Sequence, residues 1–202
     1  MMKKQYQNTI NLWAETIARS RQGNLEENKA VMAYALHLLL FNLLVVIATL
    51  LTSFILGTFP TVAVTLIASG SLRIFTGGYH CSSPIVCLIL SVGLMNFYGQ
   101  AAVKLAGIMG LYHVLIFLII TMALSLYFIL KNAPVETTNK PIKVERRNVL
   151  KKKGLRVWFF WVVALTLVSV HNINDYKDFI LAIGLGIINQ TFSISGILRN
   201  KS

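Results

Sequence analysis

The sequence predicts an all-α integral membrane protein: about six transmembrane helices preceded by an N-terminal amphipathic interfacial helix. Three observations carry this. Of 202 residues, 55% are hydrophobic and only 13% are charged, too few to give a domain of this size a water-facing surface. The apolar residues fall in runs close to the roughly 20 that a spanning helix needs. The basic residues are gathered on one side of those runs, as the positive-inside rule requires.

In chain order, residues 1–28 contain no continuous apolar stretch of the kind a secretory signal carries. Tyr6, Ile10, Trp13 and Ile17 recur there at helical spacing, with Lys3, Lys4, Glu15 and Arg19 among the polar residues. This pattern predicts an amphipathic helix lying in the membrane interface or on the protein's own cytoplasmic surface. The chain therefore divides into an interfacial segment, 1–30, and a polytopic membrane domain, 31–202. Six candidate spans follow at 31–51, 54–70, 84–103, 107–130, 155–171 and 179–198, the second and fifth of them short. The long polar linker, 131–154, holds Pro134, Pro141 and the run Lys151, Lys152 and Lys153, and reads as a basic cytoplasmic loop. No internal repeat is evident.

The formal charge of +12 raises the question of nucleic acid. Its distribution answers it. With six spans and both termini cytoplasmic, 17 of the 19 basic residues lie inside, and only Lys104 and Lys177 lie outside. The charge is topological, and the partner it implies is the lipid bilayer of the cell membrane rather than nucleic acid. The same assignment places the loop between spans two and three at the cytoplasmic side.

That loop, Arg-Ile-Phe-Thr-Gly-Gly-Tyr-His-Cys-Ser-Ser-Pro-Ile-Val-Cys, carries an arginine, a histidine and both cysteines within fifteen residues. A reducing compartment argues against a disulfide between Cys81 and Cys87. Ser83-Pro84 reads as a helix start, with serine as N-cap and proline in the first turn. Cys87 then falls where the helix dipole and a nearby histidine favour an anionic, nucleophilic sulfur. His80 precedes Cys87 by seven residues, about 10.5 Å on a continuous helix, which is too far for contact. Pro84, Ser82-Ser83 and Gly77-Gly78 instead predict a broken segment able to fold imidazole back onto thiol. Bland readings stand beside this one. Cys87 can be core filling, Cys81 is read as structural, Arg73 can snorkel to the headgroups, and the lysine run can be the topological signal alone. Three ligands, His80, Cys81 and Cys87, make a poor zinc set without a fourth.

With Arg73, Gly78 and His80 seven residues before Cys87, on a basic six-span protein, the sequence resembles the AgrB family of accessory gene regulator proteins. These are membrane cysteine endopeptidases of Gram-positive quorum sensing. The resemblance implies that Cys87 is the nucleophile and His80 the general base, with no cofactor. It also implies an AgrD-like precursor peptide as substrate, cut at its C-terminal tail and cyclised to a thiolactone or lactone through an acyl-thioester. Arg73, Gly78, Lys151, Lys152 and Lys153 are the supporting or substrate-binding candidates, the lysines with Arg146 and Arg147 facing the acidic tail. An extra cysteine, Cys81, stands outside the family pattern. Whether the protein works as a homodimer is left open.

Several competitors lack their residues. None of the seven acidic residues lies in a span, which leaves no pair for an intramembrane aspartyl protease and no carboxylate for a triad. H-E-x-x-H, G-x-S-G and a phosphate-binding loop are all absent. Thr76, Asn96, Asn189 or a backbone carbonyl could orient His80 instead. Two alternative functions remain: a small transporter with His37, Gln100 and Asn189 along its path, and a metal or redox protein using His80, Cys81 and Cys87.

Overall fold

The structure, a computed structural model, describes residues 2–20, 23–79, 83–136, 142 and 144–196, with side chains from residue 7 onward. His80, Cys81, Ser82, Pro141 and the end of the sixth expected span lie outside the described residues. Seven helices make up the rest: α1 (Met2–Ala18), α2 (Leu25–Ile55), α3 (Phe59–Thr76), α4 (Pro84–Ile108), α5 (Leu111–Asn132), α6 (Val144–Asn172) and α7 (Lys177–Ile194). The architecture is the expected all-α membrane protein, one helix followed by six.

Two of the boundary differences from expectation move candidate site residues. The second span was expected at 54–70, yet α3 begins at Phe59. The apolar run Phe54-Ile55-Leu56 conceals a break, where Gly57 takes a left-handed φ of +69°. Its N–H reaches Phe54 O at 3.1 Å to close the turn, and Pro60 then starts α3 in its first turn. α3 consequently runs on to Thr76, so Arg73 belongs to its last turn rather than to a loop. The other difference is α6, whose first turns take up the latter part of the expected loop 131–154. Lys151, Lys152 and Lys153 are helical.

Among the described residues, five helices, α2 to α6, are long and apolar enough to cross a membrane. α7 has 18 residues, about 27 Å of helix, close to the bilayer's hydrocarbon thickness of about 30 Å. It carries Asn189 and Gln190 and is shielded by its neighbours, with Ile180, Leu181, Ala182, Ile187 and Gln190 all buried.

The chain forms two units, Met1–Ala48 and Thr49–Ser202. In the first, Ile10, Ala14 and Ala18, four residues apart, are buried, while Leu12, Trp13 and Ile17 remain exposed. The expected apolar stripe is thus divided between an inward edge at Ile10 and an outward edge at Trp13 and Ile17. The Glu15 carboxylate ties α1 to α2 by accepting from Arg19 at 2.7 Å and Lys29 at 3.2 Å. These partners, Arg19 first, hold its carboxyl below the usual range.

In the second unit α7 lies against α3, α4 and α5, and α3 also contacts α4 and α6. Small residues let the backbones approach. A Cβ on Gly186 would stand 2.6 Å from Thr65 O, and one on Gly99 would stand 2.2 Å from Val62 Cγ2. The polarity is inverted relative to a water-soluble core. Thr61, Thr65, Ser69, Thr76, Thr121, Ser125 and Gln190 are buried, while Ile85, Ile89, Phe97, Ile119 and Phe160 are exposed. Only an apolar solvent stabilises that distribution.

Hydrogen bonds run down the α3–α7 seam: Thr65 Oγ1 donates to Ala182 O at 3.2 Å, Asn189 Nδ2 to Ser69 Oγ at 3.1 Å, and Gln190 Nε2 to Thr76 Oγ1 at 2.8 Å. The seam ends where four elements meet. Val135 N, just past α5, donates to Thr76 O at 2.9 Å, and Asn132 Nδ2 donates to Ile194 O at 2.8 Å. Gly154 of α6 comes so near that a Cβ there would lie 3.1 Å from Thr76 Cγ2. The candidate site is built at this end.

Candidate active site

Ser83 and Pro84 start α4 as the sequence predicts. Ser83 is extended at φ −113° and ψ 132°, and Pro84 opens the first turn. The serine side chain makes no capping bond. Cys87 N instead donates to Ser83 O at 3.0 Å, closing the first backbone turn. The Cys87 thiol is free and partly exposed. Helix geometry leaves the N–H groups of Ile85 and Val86 without a partner inside α4, because they lie in its first turn.

The chain leading towards His80 is held residue by residue. Gly77 turns out of α3 at φ +68° and forms a parallel bridge with Val135. A Cβ there would sit 2.4 Å from Val135 O, so only glycine lets the two backbones approach. Gln190 Nε2 donates to Gly77 O at 2.6 Å. Gly78, at φ +152°, passes so close to α7 that a Cβ would lie 2.3 Å from Ser193 Oγ. Tyr79 N donates to Ser193 O at 3.1 Å and to Ser193 Oγ at 3.0 Å. Tyr79 O accepts from Arg73 Nη2 at 2.8 Å, and Arg73 Nη1 reaches Ser193 Oγ at 3.2 Å.

These contacts revise several expectations. Arg73 does not simply snorkel: its guanidinium clamps Tyr79 and Ser193, and it is half-buried. Gly78 serves close packing against α7. Thr76, Asn96 and Asn189, named as candidates to orient the histidine, each make a bond among the described residues. Thr76 Oγ1 donates to Leu72 O at 2.9 Å, Asn96 Nδ2 donates to Val92 O at 2.9 Å, and Asn189 Nδ2 donates to Ser69 Oγ. His80 and Cys81 lie outside the described residues.

The basic residues divide by role. Lys151 Nζ donates to Leu130 O near the C-terminal end of α5, where a cation satisfies a terminal carbonyl. Arg147 pairs with Glu136. Lys152 and Lys153 are exposed on the same turn of α6, immediately before Gly154, which packs on Thr76. The lysine run therefore stands at the end of the bundle from which residues 77–79 lead towards α4.

Sequence reasoning gave neither Ser193 nor Gln190 a part in the site. The available signal was the cluster Asn189-Gln190-Thr191 followed by Ser193, an unusually polar turn for a membrane helix.

The family model for Accessory gene regulator B matches residues 10–194. The chain belongs to the accessory gene regulator B family. Two relatives from Clostridium perfringens show the same extent. "Putative AgrB-like protein" of strain SM101 / Type A is 26% identical over 178 residues, covering 85% of this chain and 83% of its own length. "Putative AgrB-like protein 2" of strain 13 / Type A is 26% identical over 186 residues with the same coverage. No solved structure matches the chain. AgrB membership places the protein in the peptide processing of accessory gene regulator quorum sensing, with an AgrD-like peptide as partner and the membrane as its environment.

Proposed function

We propose that this AgrB-family protein is a cysteine endopeptidase that cuts the C-terminal tail from an AgrD-like precursor and promotes cyclisation of what remains. The observation that carries the reading is the position of Cys87: a free, partly exposed thiol in the first turn of α4, at the end of a segment whose preceding residues, Gly77 to Tyr79, are pinned. His80 follows directly on that pinned segment in sequence.

Cys87 Sγ attacks the scissile carbonyl while His80 takes the thiol proton. The tetrahedral oxyanion lies towards the first-turn N–H groups of α4, where the helix dipole favours negative charge. The C–N bond breaks, His80 returns its proton to the leaving amine, and the tail departs, leaving an acyl-thioester on Cys87. A side-chain thiol or hydroxyl of the bound peptide then attacks the thioester. That step releases Cys87 and closes a thiolactone or lactone ring. Exchange of thioester for thiolactone conserves bond type, so no nucleotide is consumed.

Charge and surface supply the substrate's other contacts. Lys152 and Lys153 attract the acidic tail, Lys151 holds the end of α5 beside them, and Arg73 fixes the backbone ahead of His80. The outward edge of α1, with Leu12, Trp13 and Ile17, gathers the amphipathic leader at the interface. The distribution of Lys and Arg supports a cytoplasmic position for this end of the bundle and for both termini.

Co-expression with an AgrD-like precursor tests the reading. Peptide size is followed for Cys87→Ser, His80→Ala and Cys81→Ser. Cleavage lost with the first two and kept with the third supports the dyad. Full cleavage by Cys87→Ser sinks it.

A further inference from the structure

We infer that the last turn of α7 is part of the catalytic apparatus, with Ser193 as a positioning residue for His80 and Gln190 as its support. The inference rests on the dyad reading above and adds to it residues from the opposite end of the sequence, 114 positions from Tyr79 in the case of Ser193.

Ser193 holds one residue of the segment, Tyr79, in two ways. Its carbonyl and hydroxyl oxygens share the Tyr79 N–H, at 3.1 and 3.0 Å. Its hydroxyl also receives Arg73 Nη1, whose second nitrogen holds Tyr79 O. The amide N–H and the carbonyl of the residue before His80 are thus both specified, one directly by α7 and one through Arg73. Gln190, one turn earlier, fixes Gly77 O and Thr76 Oγ1. Gly78 accepts a left-handed φ to bring the strand against Ser193, where any Cβ would collide with the hydroxyl.

The physical need is clear. The segment has left α3 and has no helical ladder of its own, so without these bonds its polar backbone would be unpaired inside the bundle. Tyr79 is the residue before His80 in sequence, so fixing it fixes the point from which the histidine's backbone starts, and a displacement of about 1 Å in a catalytic group can lower the rate by about 10²-fold. Ser193 touches neither substrate nor Cys87 in this account, and it acts through the histidine.

The experiment uses the full chain in liposomes with two readouts. One is single-turnover cleavage of a synthetic AgrD-like precursor. The other is alkylation of Cys87 by iodoacetamide in a Cys81→Ser background, which needs no substrate. Ser193→Ala is expected to lower cleavage by about 10²-fold with KM within about 2-fold, and Ser193→Thr, which keeps the hydroxyl, to restore most of it. Ser193→Ala should slow alkylation towards the His80→Ala rate, and Ser193→Ala combined with His80→Ala should alkylate no more slowly than His80→Ala alone. Gln190→Met, passed through the same cycle, serves if Ser193→Ala does not fold.

Wild-type cleavage and alkylation by Ser193→Ala, or losses that multiply in the double variant, overturn the inference. Absence of cleavage in every variant, including wild type, together with His80-dependent alkylation that tracks Ser193, would overturn the endopeptidase reading and leave the positioning role standing.

Discussion

Replacing Gly186 by alanine separates the two helices on which the site depends. The added Cβ would lie 2.6 Å from Thr65 O, 3.1 Å from Ala68 Cβ and 3.3 Å from Ser69 N. Ordinary contact begins near 3.4 Å, so α3 and α7 must part by about 0.8 Å at this level. Overpacking of this kind costs about 1–3 kcal/mol. The Thr65–Ala182 and Asn189–Ser69 bonds, at 3.2 and 3.1 Å, stretch with it, at about 0.6 kcal/mol for each lost inside a membrane. Alanine's better helix propensity returns at most about 1 kcal/mol, leaving a net loss of about 1–3 kcal/mol. Gly93 is the control, because a Cβ there meets nothing within 4 Å, so Gly93→Ala should be neutral or slightly stabilising. Reversible unfolding in mixed SDS micelles, read from tryptophan fluorescence, gives both values. Equal midpoints for the two variants would refute the close α3–α7 seam, and with it the means by which Gln190 and Ser193 reach the 77–79 segment.

Other consequences follow from individual contacts. Lys151→Met should destabilise the protein by about 1 kcal/mol through the unpaired Leu130 carbonyl. Lys152→Met and Lys153→Met should leave stability unchanged and raise KM for an acidic-tailed precursor, an effect that shrinks with added salt. Because the Glu15 carboxyl is held below its usual range, its contribution to docking of α1 is present above the ordinary carboxylate pKa and is lost as pH falls through the depressed value. Protection of α1 against hydrogen exchange, taken relative to the intrinsic rate at each pH, should therefore fall on acidification, and Glu15→Gln should show the lower protection already at neutral pH. For topology, a membrane-impermeant maleimide added outside intact cells should leave Cys87 unlabelled, and rapid labelling would reverse the orientation.

Much of this architecture was legible in the sequence, because lipid imposes long apolar runs and a charge asymmetry that can be read directly. Ser83-Pro84 marked the start of α4 to the residue, since proline's missing N–H belongs in a first turn. The break at Gly57 was hidden by the apolar residues before it, which look the same whether they end one helix or begin another. The start of α6 was hidden for the opposite reason: a basic, polar run reads as loop until a tertiary contact, here Gly154 on Thr76, gives it a surface to pack on. Within the site, Cys87 and its helical setting could be read from local spacing. Ser193 could not, because its partners are Arg73 and Tyr79, and no periodicity in either segment announces a pairing so distant in the chain. Nor could sequence say that Arg73 turns inward, because a long cationic side chain near a helix end satisfies the same pattern when it reaches outward.

The proposed mechanism requires that the precursor acylate Cys87. Its direct measurement is intact mass spectrometry of the full-length protein, quenched in acid within one turnover of precursor, followed by peptide mapping. The expected result is an added mass equal to the tail-less precursor less water, mapped to Cys87, labile to hydroxylamine and absent in Cys87→Ser. Tail release at the normal rate with no such adduct, or with the adduct on Cys81, would contradict it.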